Sequence, residues 1–241
     1  MKSAIITGAS KGIGLESALL LSNEYDYIAI CARNNELLQA IPLMDDWNKR
    51  CECDIFPGDI SDYQFVSKMI ETICEKAGHI DTLINNAGIS SVGLFTDMSP
   101  DKWQELININ LTGTYNTCHL VVPHMVHEKS GKILNISSVW GLAGASCEVG
   151  YSATKGAINS FTKALAKELA PSNITVNAIA FGAVDTDMNK NLSEEEISFL
   201  CDEIPIGRMA TPKEAARCIR DILCMPSYLT GEIIKIDGAW I

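Results

Sequence analysis

Residues 7–14 read Thr7-Gly8-Ala9-Ser10-Lys11-Gly12-Ile13-Gly14, directly after the apolar run Ala4–Thr7 and at the start of a helical segment. Glycines at these positions permit a tight turn and let backbone N–H groups approach a pyrophosphate at the helix N-terminus. A purely structural turn would also use glycines. The spacing T-G-x-x-x-G-x-G differs from the G-x-G-x-x-G of the ordinary dinucleotide-binding turn. These residues predict a strand–turn–helix unit, with a phosphate site as its functional interpretation.

The same unit recurs along the chain, because short β-rich runs alternate with helical segments. Most runs are apolar throughout, as strands buried on both faces of a parallel sheet are. Right-handed crossovers would wind them into a doubly wound α/β sheet with helices on both faces. Without a linker or repeat, we expect one domain over residues 1–241. The predicted strands are Ala4–Thr7, Tyr27–Cys31, Cys51–Phe56, Thr82–Asn85, Lys132–Ser137, Ile174–Ala180 and Glu232–Ile236.

Helix starts are marked by capping boxes and by first-turn prolines. A polar insert, Thr186–Glu203, follows the sixth strand at the edge of the sheet where ligands bind, and we expect it to be a substrate lid. The capping boxes are Ser61-x-x-Gln64, Ser193-x-x-Glu196 and Thr211-x-x-Glu214, and the prolines are Pro100 and Pro212.

Charge and composition exclude several classes of function. The net charge of −11 repels nucleic acid and anionic lipid, so neither is an expected partner. Met1-Lys2-Ser3 leads directly into Ala4–Thr7, and no apolar run is long enough to span a bilayer, so we expect a cytoplasmic protein. The nine cysteines contain no Cys-x-x-Cys pair, which favours reduced thiols over a metal site.

The end of the second strand indicates which dinucleotide the turn prefers. An NAD site usually places an acidic residue there to hold the ribose diol, but this chain has Cys31-Ala32-Arg33. Arg33 and Lys11 bring two cations to the place of a 2′-phosphate, and a guanidinium matches phosphate in a bidentate manner. The alternative is that Arg33 is a solvated loop residue. We therefore expect NADP(H).

A second group of motifs carries chemistry. Tyr151 and Lys155 share one face of a predicted helix, Tyr151–Ala170, because they are four residues apart. We expect the ammonium to lower the pKa of the tyrosine and prepare it for proton transfer. Ser138, at the end of the fifth strand, would donate to a substrate carbonyl oxygen as negative charge develops there.

Together with Asn85-Asn86-Ala87-Gly88 and Asn110-Leu111, these strings resemble the short-chain dehydrogenase/reductases over essentially the whole chain. The resemblance implies a Rossmann-type fold and a catalytic set of Asn110, Ser138, Tyr151 and Lys155. It implies that Asn110 holds a water that links Lys155 to solvent. It places the cofactor against Gly8, Ser10, Lys11, Gly12, Ile13, Gly14, Arg33, Asp59, Ile60, Asn86, Ala87, Gly88, Tyr151, Lys155, Val184 and Thr186.

Within that family, Ile204-Pro205-Ile206-Gly207-Arg208 resembles bacterial 3-oxoacyl-acyl-carrier-protein reductases. Lys129 suits an acidic carrier, although Ser172 stands where an arginine is frequent. The residues around Trp140 and Glu148 resemble elongation factor P 5-aminopentanone reductases, and Glu148 would suit a cationic substrate group. Phe181-Gly182 replaces the usual Pro-Gly, which puts the geometry beside the nicotinamide in question.

Three classes of function remain open at this point. A reductase of a ketone carried on a protein is the leading hypothesis, and a dehydrogenase of a free polyol or hydroxysteroid is the second. A non-catalytic NADP-sensing module is the third, although a sensor needs no proton donor. We also expect a homotetramer. The helices around 102–128 and 151–170 carry apolar residues on several sides, namely Leu106, Ile109, Leu120, Val121, Met125, Phe161, Leu165 and Leu169.

Overall fold

The computed structural model describes residues 1–39, 51–190 and 192–241. Within these residues it contains a seven-stranded sheet with the order β3-β2-β1-β4-β5-β6-β7, and every neighbouring pair is parallel. The predicted fold class is confirmed, and the strands follow the predicted runs to within a residue or so at each end. The strands are β1 Ser3–Thr7, β2 Tyr27–Ala32, β3 Glu52–Pro57, β4 Thr82–Asn85, β5 Gly131–Ser138, β6 Ile174–Phe181 and β7 Ile233–Ile236.

Helices connect the strands on both faces of the sheet. A π-helical segment, Ile107–Thr112, joins the fourth helix to the fifth, and short 3-10 turns lie at Phe95–Asp97, Ala170–Ser172 and Asp187–Asn189. The α-helices are α1 Gly12–Leu21, α2 Asn35–Gln39, α3 Tyr63–Ala77, α4 Pro100–Leu106, α5 Gly113–Glu128, α6 Trp140–Ala143, α7 Val149–Leu169, α8 Glu194–Glu203 and α9 Pro212–Leu223.

Two apolar cores lie on opposite faces of the sheet, because successive side chains of a strand point to opposite sides. On one face, Ile6 of β1 packs in a cluster with Leu21 of α1 and Ile219 of α9. On the other face, Ile5 of β1 packs with residues of α3, α5 and α7, such as Val121. Both faces of the central strands are therefore buried, which explains their continuous apolar runs.

The structure corrects one of the predicted helix starts. The N-cap of α3 is Asp62 rather than Ser61, since the Asp62 carboxylate accepts from the backbone N–H of Gln64 at 2.9 Å and of Phe65 at 3.3 Å. The Ser61 N–H instead donates to Asp59. A carboxylate also interacts favourably with the positive end of the helix dipole.

The other helix starts agree with the sequence. Complete capping boxes begin α8 at Ser193 and α9 at Thr211, and Pro100 and Pro212 occupy the first turns of α4 and α9. The polar insert forms the 3-10 turn Asp187–Asn189 and helix α8, while Asn191 lies outside the described residues.

The apolar residues offered as evidence for a tetramer are mostly used inside the chain. Leu106, Ile109, Val121, Met125 and Leu169 are buried in this one chain. Leu120, Phe161 and Leu165 are partly buried against the same core. Most of these residues therefore pack within one chain and do not indicate a subunit interface, and the tetramer stays a prediction. Among the described residues, no helix is both long and apolar enough to cross a membrane.

Candidate active site

A cavity of about 350 Å³ lies where the strand order reverses, between the carboxyl ends of β1 and β4. Ligands of open α/β sheets bind at this switch point. Of the predicted cofactor residues, Gly14, Tyr151, Lys155 and Val184 do not line it. Those that do are Gly8, Ser10, Lys11, Gly12, Ile13, Arg33, Asp59, Ile60, Asn86, Ala87, Gly88 and Thr186.

The glycine turn is packed directly on the loop that follows β4. Gly8 has φ +66°, and a Cβ there would lie 2.7 Å from the Cα atom of Ala87. The Asn86 side chain donates to the carbonyls of Thr7 at 3.0 Å and Gly8 at 3.1 Å. A Cβ on Gly14 would lie 2.6 Å from that Asn86 nitrogen. Gly14 therefore serves packing, and the Asn86 side chain, at the edge of the cavity, holds the turn.

Thr7 is a site residue that the motif analysis did not single out for a role. Its hydroxyl oxygen accepts from the backbone N–H groups of Asn86 and Ala87, both at 3.1 Å. A threonine that ends a buried strand and precedes the glycine turn is the available sequence signal. Its contacts lock the two cavity-forming loops together.

The two predicted phosphate-binding cations have different surroundings. Lys11 forms a 2.6 Å ion pair with Asp187 of the polar insert, and Lys190 binds the same carboxylate. Arg33 is exposed beside the cavity and forms no ion pair with any described residue. Of the two, Arg33 is the cation without a competing carboxylate.

The predicted catalytic side chains converge at the carboxyl ends of β5 and the start of α7. Tyr151 and Lys155 are 8% and 5% exposed, and the Lys155 Nζ atom lies 5.6 Å from the centre of the Tyr151 ring. Lys155 donates to the Ile136 carbonyl at 2.7 Å. Ser138, which ends β5, accepts from the backbone N–H of Trp140 at 3.2 Å.

The pKa of Tyr151 is raised rather than lowered, so the expected net shift is wrong in direction. Burial raises the pKa of Tyr151, the negative charge of Glu148 raises that pKa further, and a hydrogen bond with Ser138 opposes the rise. Burial also lowers the pKa of Lys155 to about 8. Spacing on a helix places the lysine beside the tyrosine, but it does not reveal how far both are removed from water.

Asn110 lies in the π-helical segment, where its side chain is fully engaged. Its Oδ1 atom accepts from the Ile89 N–H at 2.8 Å, and its Nδ2 atom donates to the Ile89 carbonyl at 2.9 Å and to Thr154 at 3.0 Å. A Cβ built on Gly88 would lie 3.4 Å from Asn110 Oδ1 and 3.5 Å from Lys155 Nζ. Lys155 and Asn110 therefore lie directly behind Gly88, which lines the cavity. The water relay stays a prediction.

The departure at Phe181 does not disturb the cavity. Phe181 is the last residue of β6, where its buried ring joins the core and its carbonyl accepts from the Val139 N–H at 2.9 Å. Val184 pairs with Ala210 in an isolated parallel bridge, just before Thr186 reaches the glycine turn.

A carboxylate and two tryptophans lie beside the catalytic set. Glu148 directly precedes α7 and is half-buried; burial raises the pKa of its carboxyl, and a hydrogen bond with Trp140 opposes that rise. The Trp140 ring packs edge-to-face on Trp240, with 4.8 Å between ring centres. The role of Trp240 was missed, because it comes from the far end of the chain and no spacing motif links it to Trp140.

Comparison with known proteins agrees with this geometry. Residues 2–197 match the short chain dehydrogenase family. The uncharacterized oxidoreductase YmfI of Bacillus subtilis is 40% identical over 245 residues, which cover 99% of this chain and 98% of that protein. The 3-oxoacyl-acyl-carrier-protein reductase FabG of Thermotoga maritima is 35% identical over 100% of this chain and 98% of that protein.

The solved structure of ElxO with NADP bound is similar over 99% of this chain and 98% of that chain, with a TM-score of 0.91 and 33% identity. The family match spans most of the chain, and the curated relatives span nearly all of it. The chain therefore belongs to the short-chain dehydrogenase family of oxidoreductases.

Proposed function

We propose that this protein reduces a ketone to a secondary alcohol with NADPH, and that Tyr151 is the general acid. The observation that carries the proposal is the convergence of three buried side chains, Ser138 at the end of β5 and Tyr151 and Lys155 on α7, with the Lys155 Nζ atom facing the Tyr151 ring. Lys155 in turn adjoins the cavity at the sheet's switch point.

The cavity fits NADP(H) on three counts. The glycine turn opens helix α1, whose N-terminal N–H groups suit a pyrophosphate. Arg33 supplies a guanidinium for the 2′-phosphate, and Asp59 and Ile60 border the adenine end. The structure of ElxO with NADP bound adds support from a relative. When bound, the nicotinamide supplies the hydride.

The side chains of this chain handle the proton and the developing charge. The Ser138 hydroxyl donates to the ketone oxygen, which gains negative charge as the C=O bond is reduced. The Tyr151 hydroxyl gives its proton to that oxygen, completing the alcohol. Lys155 is anchored to Ile136 with its Nζ atom facing the Tyr151 ring, and its ammonium stabilises the phenolate that remains. Asn110 is hydrogen-bonded to Ile89 and to Thr154, and it thereby fixes the loop after β4 against helix α7, which carries Lys155.

The substrate that the relatives favour is a 3-oxoacyl group on acyl carrier protein. FabG proteins from several bacteria, named as 3-oxoacyl-acyl-carrier-protein reductases, are 34–37% identical to this chain over almost its whole length. Lys129 is exposed at the end of α5 and offers a cation to an acidic carrier. The insert Thr186–Glu203 serves as the lid over the substrate, in a chain that is one domain.

A second candidate is a ketone on a modified protein lysine, because the half-buried carboxylate of Glu148 lies at the start of α7, three residues before Tyr151. A free steroid is less favoured, since α8 presents three acidic residues in its first turn and buries no side chain. The rim is not wholly polar, however. Phe199 on α8 and the loop residues Val92 and Phe95 are exposed, and Gly93 ties this loop to Cys147 at 2.8 Å.

The experiment compares NADPH oxidation with a 3-oxoacyl-acyl-carrier protein and with a free short ketoester. The carrier-borne ketone should have a kcat/KM at least about a hundredfold higher, because docking of the carrier raises the effective concentration of the ketone. An equal kcat/KM for both ketones, or a micromolar KM for a free steroid, would contradict a carrier-borne substrate and favour a free one. If no carbonyl compound supports NADPH oxidation, the hypothesis of a non-catalytic NADP-sensing module is favoured instead.

A further inference from the structure

Helix α7 carries a buried amide one turn beyond Lys155. Asn159 follows Lys155 by four residues, as Lys155 follows Tyr151, so the three side chains project from successive turns of one helix face. Asn159 is only 6% exposed. A buried amide costs free energy unless its polar atoms are hydrogen-bonded, so the partners of Asn159 indicate what it does.

Both polar atoms of this amide bind the turn that carries Ser138. The Asn159 Oδ1 atom accepts from the Ser137 hydroxyl at 2.7 Å, and the Nδ2 atom donates to the Gly141 carbonyl at 2.9 Å. Ser137 directly precedes Ser138, and Gly141 follows it by three residues. One side chain of α7 therefore holds the turn 137–141 at both of its ends.

The turn is also packed tightly against the backbone of α7. A Cβ built on Gly141 would lie 2.7 Å from the carbonyl carbon of Lys155 and 2.8 Å from its carbonyl oxygen. The Ser137 hydroxyl approaches the same Lys155 oxygen at 3.4 Å. The two shorter bonds to Asn159 therefore fix the turn on the helix at the level of Lys155.

Within this turn, the orientation of Ser138 depends on its neighbours. The Ser138 Oγ atom accepts from the Trp140 N–H at 3.2 Å. The Val139 N–H donates to the Phe181 carbonyl at 2.9 Å, which joins the turn to β6. A bond accepted by a hydroxyl oxygen restricts the directions open to its proton. A shift of the turn would therefore redirect the Ser138 hydroxyl.

We propose that Asn159 is a positioning residue that orients the Ser138 hydroxyl towards the ketone oxygen. The inference rests on the proposed function, in which Ser138 donates to that oxygen as it gains negative charge. Asn159 acts through Ser137 and Gly141 rather than by contact with the ketone. A donor stabilises developing charge only at the right distance and direction, so a loosened turn lowers the rate of reduction more than the binding of substrate.

The kinetic test is a double-mutant cycle on the reduction of ethyl 3-oxobutanoate by NADPH. Asn159→Leu, which has a similar volume, should lower kcat at least about tenfold and leave the NADPH Kd within about twofold of wild type. In a Ser138→Ala background it should lower kcat by less than about twofold, because the group that it positions is gone. Equal losses in both backgrounds, or no loss in either, would overturn the inference.

The matched control is Asn177→Leu on β6. The Asn177 side chain is also buried and makes the same two kinds of bond, since it accepts from the Glu232 N–H at 3.0 Å and donates to the Leu229 carbonyl at 2.9 Å. Its loss should lower the unfolding temperature and leave kcat near wild type. A fall in kcat as large as that of Asn159→Leu would show a general loss of stability and not a positioning role.

Ser137→Ala removes one of the two Asn159 bonds and covers the case in which Asn159→Leu does not fold. It should lower kcat at least about threefold, as the loss of one hydrogen bond allows, and have no further effect in Ser138→Ala. An unchanged kcat in Ser137→Ala would then contradict the role of the bond between Ser137 and Asn159.

A measurement without turnover follows the Trp140 backbone N–H in protein with ¹⁵N-labelled tryptophan, assigned by its loss in Trp140→Phe. Its hydrogen exchange should be at least about tenfold faster in Asn159→Leu than in Asn177→Leu, because the turn opens more readily without the amide. Equal exchange in the two variants overturns the inference about Asn159. A wild type that reduces no carbonyl overturns the proposed function instead, and the exchange still decides whether Asn159 holds the turn.

Discussion

At the residue scale, the proposed chemistry depends on the buried phenol of Tyr151. Tyr151→Phe removes the hydroxyl without changing the ring that fills the site. We expect kcat/KM to fall by at least about a hundredfold, since one acid–base group contributes about that much or more, while the NADPH Kd stays within about twofold. Stopped-flow reduction and fluorescence titration measure the two quantities.

The matched control is Tyr228→Phe, which makes the same change on a ring that is 98% exposed. It should leave both quantities at their wild-type values. Activity in Tyr151→Phe above about a hundredth of wild type would remove Tyr151 as the acid.

We expect Arg33 rather than Lys11 to determine the choice of cofactor, because Lys11 is already paired with Asp187. We expect at least about a tenfold higher kcat/KM with NADPH than with NADH, as a bidentate guanidinium–phosphate pair contributes that much or more. Arg33→Asp should reverse the preference. Equal use of both cofactors by the wild type would show that Arg33 does not contact the 2′-phosphate.

Alanine substitutions at two glycines distinguish the stability cost of a positive φ from the added cost of a steric clash. Gly78 has φ +84° with nothing within 4 Å of a built Cβ, so Gly78→Ala should cost only the conformational penalty of about 1–2 kcal/mol in unfolding free energy. Gly8→Ala adds a clash with the Ala87 backbone at 2.7 Å. It should lose more stability and weaken NADPH binding by at least about tenfold. Urea unfolding and cofactor titration of both variants check this, and equal losses would contradict the close-packing role of Gly8.

At the scale of elements, helices α8 and α9 both begin with a capping box, but they differ in how many of their residues are buried. Helix α9 buries Ala215, Ala216, Ile219 and Leu223, whereas α8 buries none of its residues. Thr211→Ala should therefore lower the unfolding free energy by about 1 kcal/mol. Ser193→Ala should change it by less than about 0.5 kcal/mol, because α8 can open without global unfolding. Equal effects in chemical denaturation would show that α8 is part of the cooperative core.

The α9 box also makes stability depend on pH. Hydrogen bonds from Arg208, and then from Thr211, lower the pKa of Glu214 to about 2. A depressed carboxyl pKa stabilises the fold above the unfolded value, which is about 4.3, and that contribution is lost as pH falls towards 2. The difference between wild type and Thr211→Ala should therefore shrink between about pH 4 and pH 2.

At the scale of the whole molecule, we retain the prediction of a homotetramer on different residues. Trp103, Tyr115 and Val126 remain exposed along α4 and α5 although their neighbours are buried. Light scattering at micromolar concentration should return about four times the 26.2 kDa of one chain. Val126→Asp should lower that mass, whereas Val92→Asp, on a loop, should not. A 26.2 kDa particle for the wild type would contradict the prediction.

The sequence alone determined the positions and type of the strands and most of the residues that line the cavity. Buried parallel strands need continuous apolar runs, as in Tyr27–Ala32, and the glycine turn needs residues that tolerate positive φ, as at Gly8. Both requirements act within a few neighbouring residues, so they appear as local patterns. The four-residue spacing of Tyr151 and Lys155 on one helix is equally local.

Only the tertiary structure decided how these groups behave. It removed Tyr151 and Lys155 from water, which reversed the expected pKa shift of the tyrosine. It paired Lys11 with Asp187 and brought Trp240 against Trp140 across a hundred residues of chain. Desolvation and long-range pairing depend on which segments meet in space, and a local pattern of residues carries no information about that.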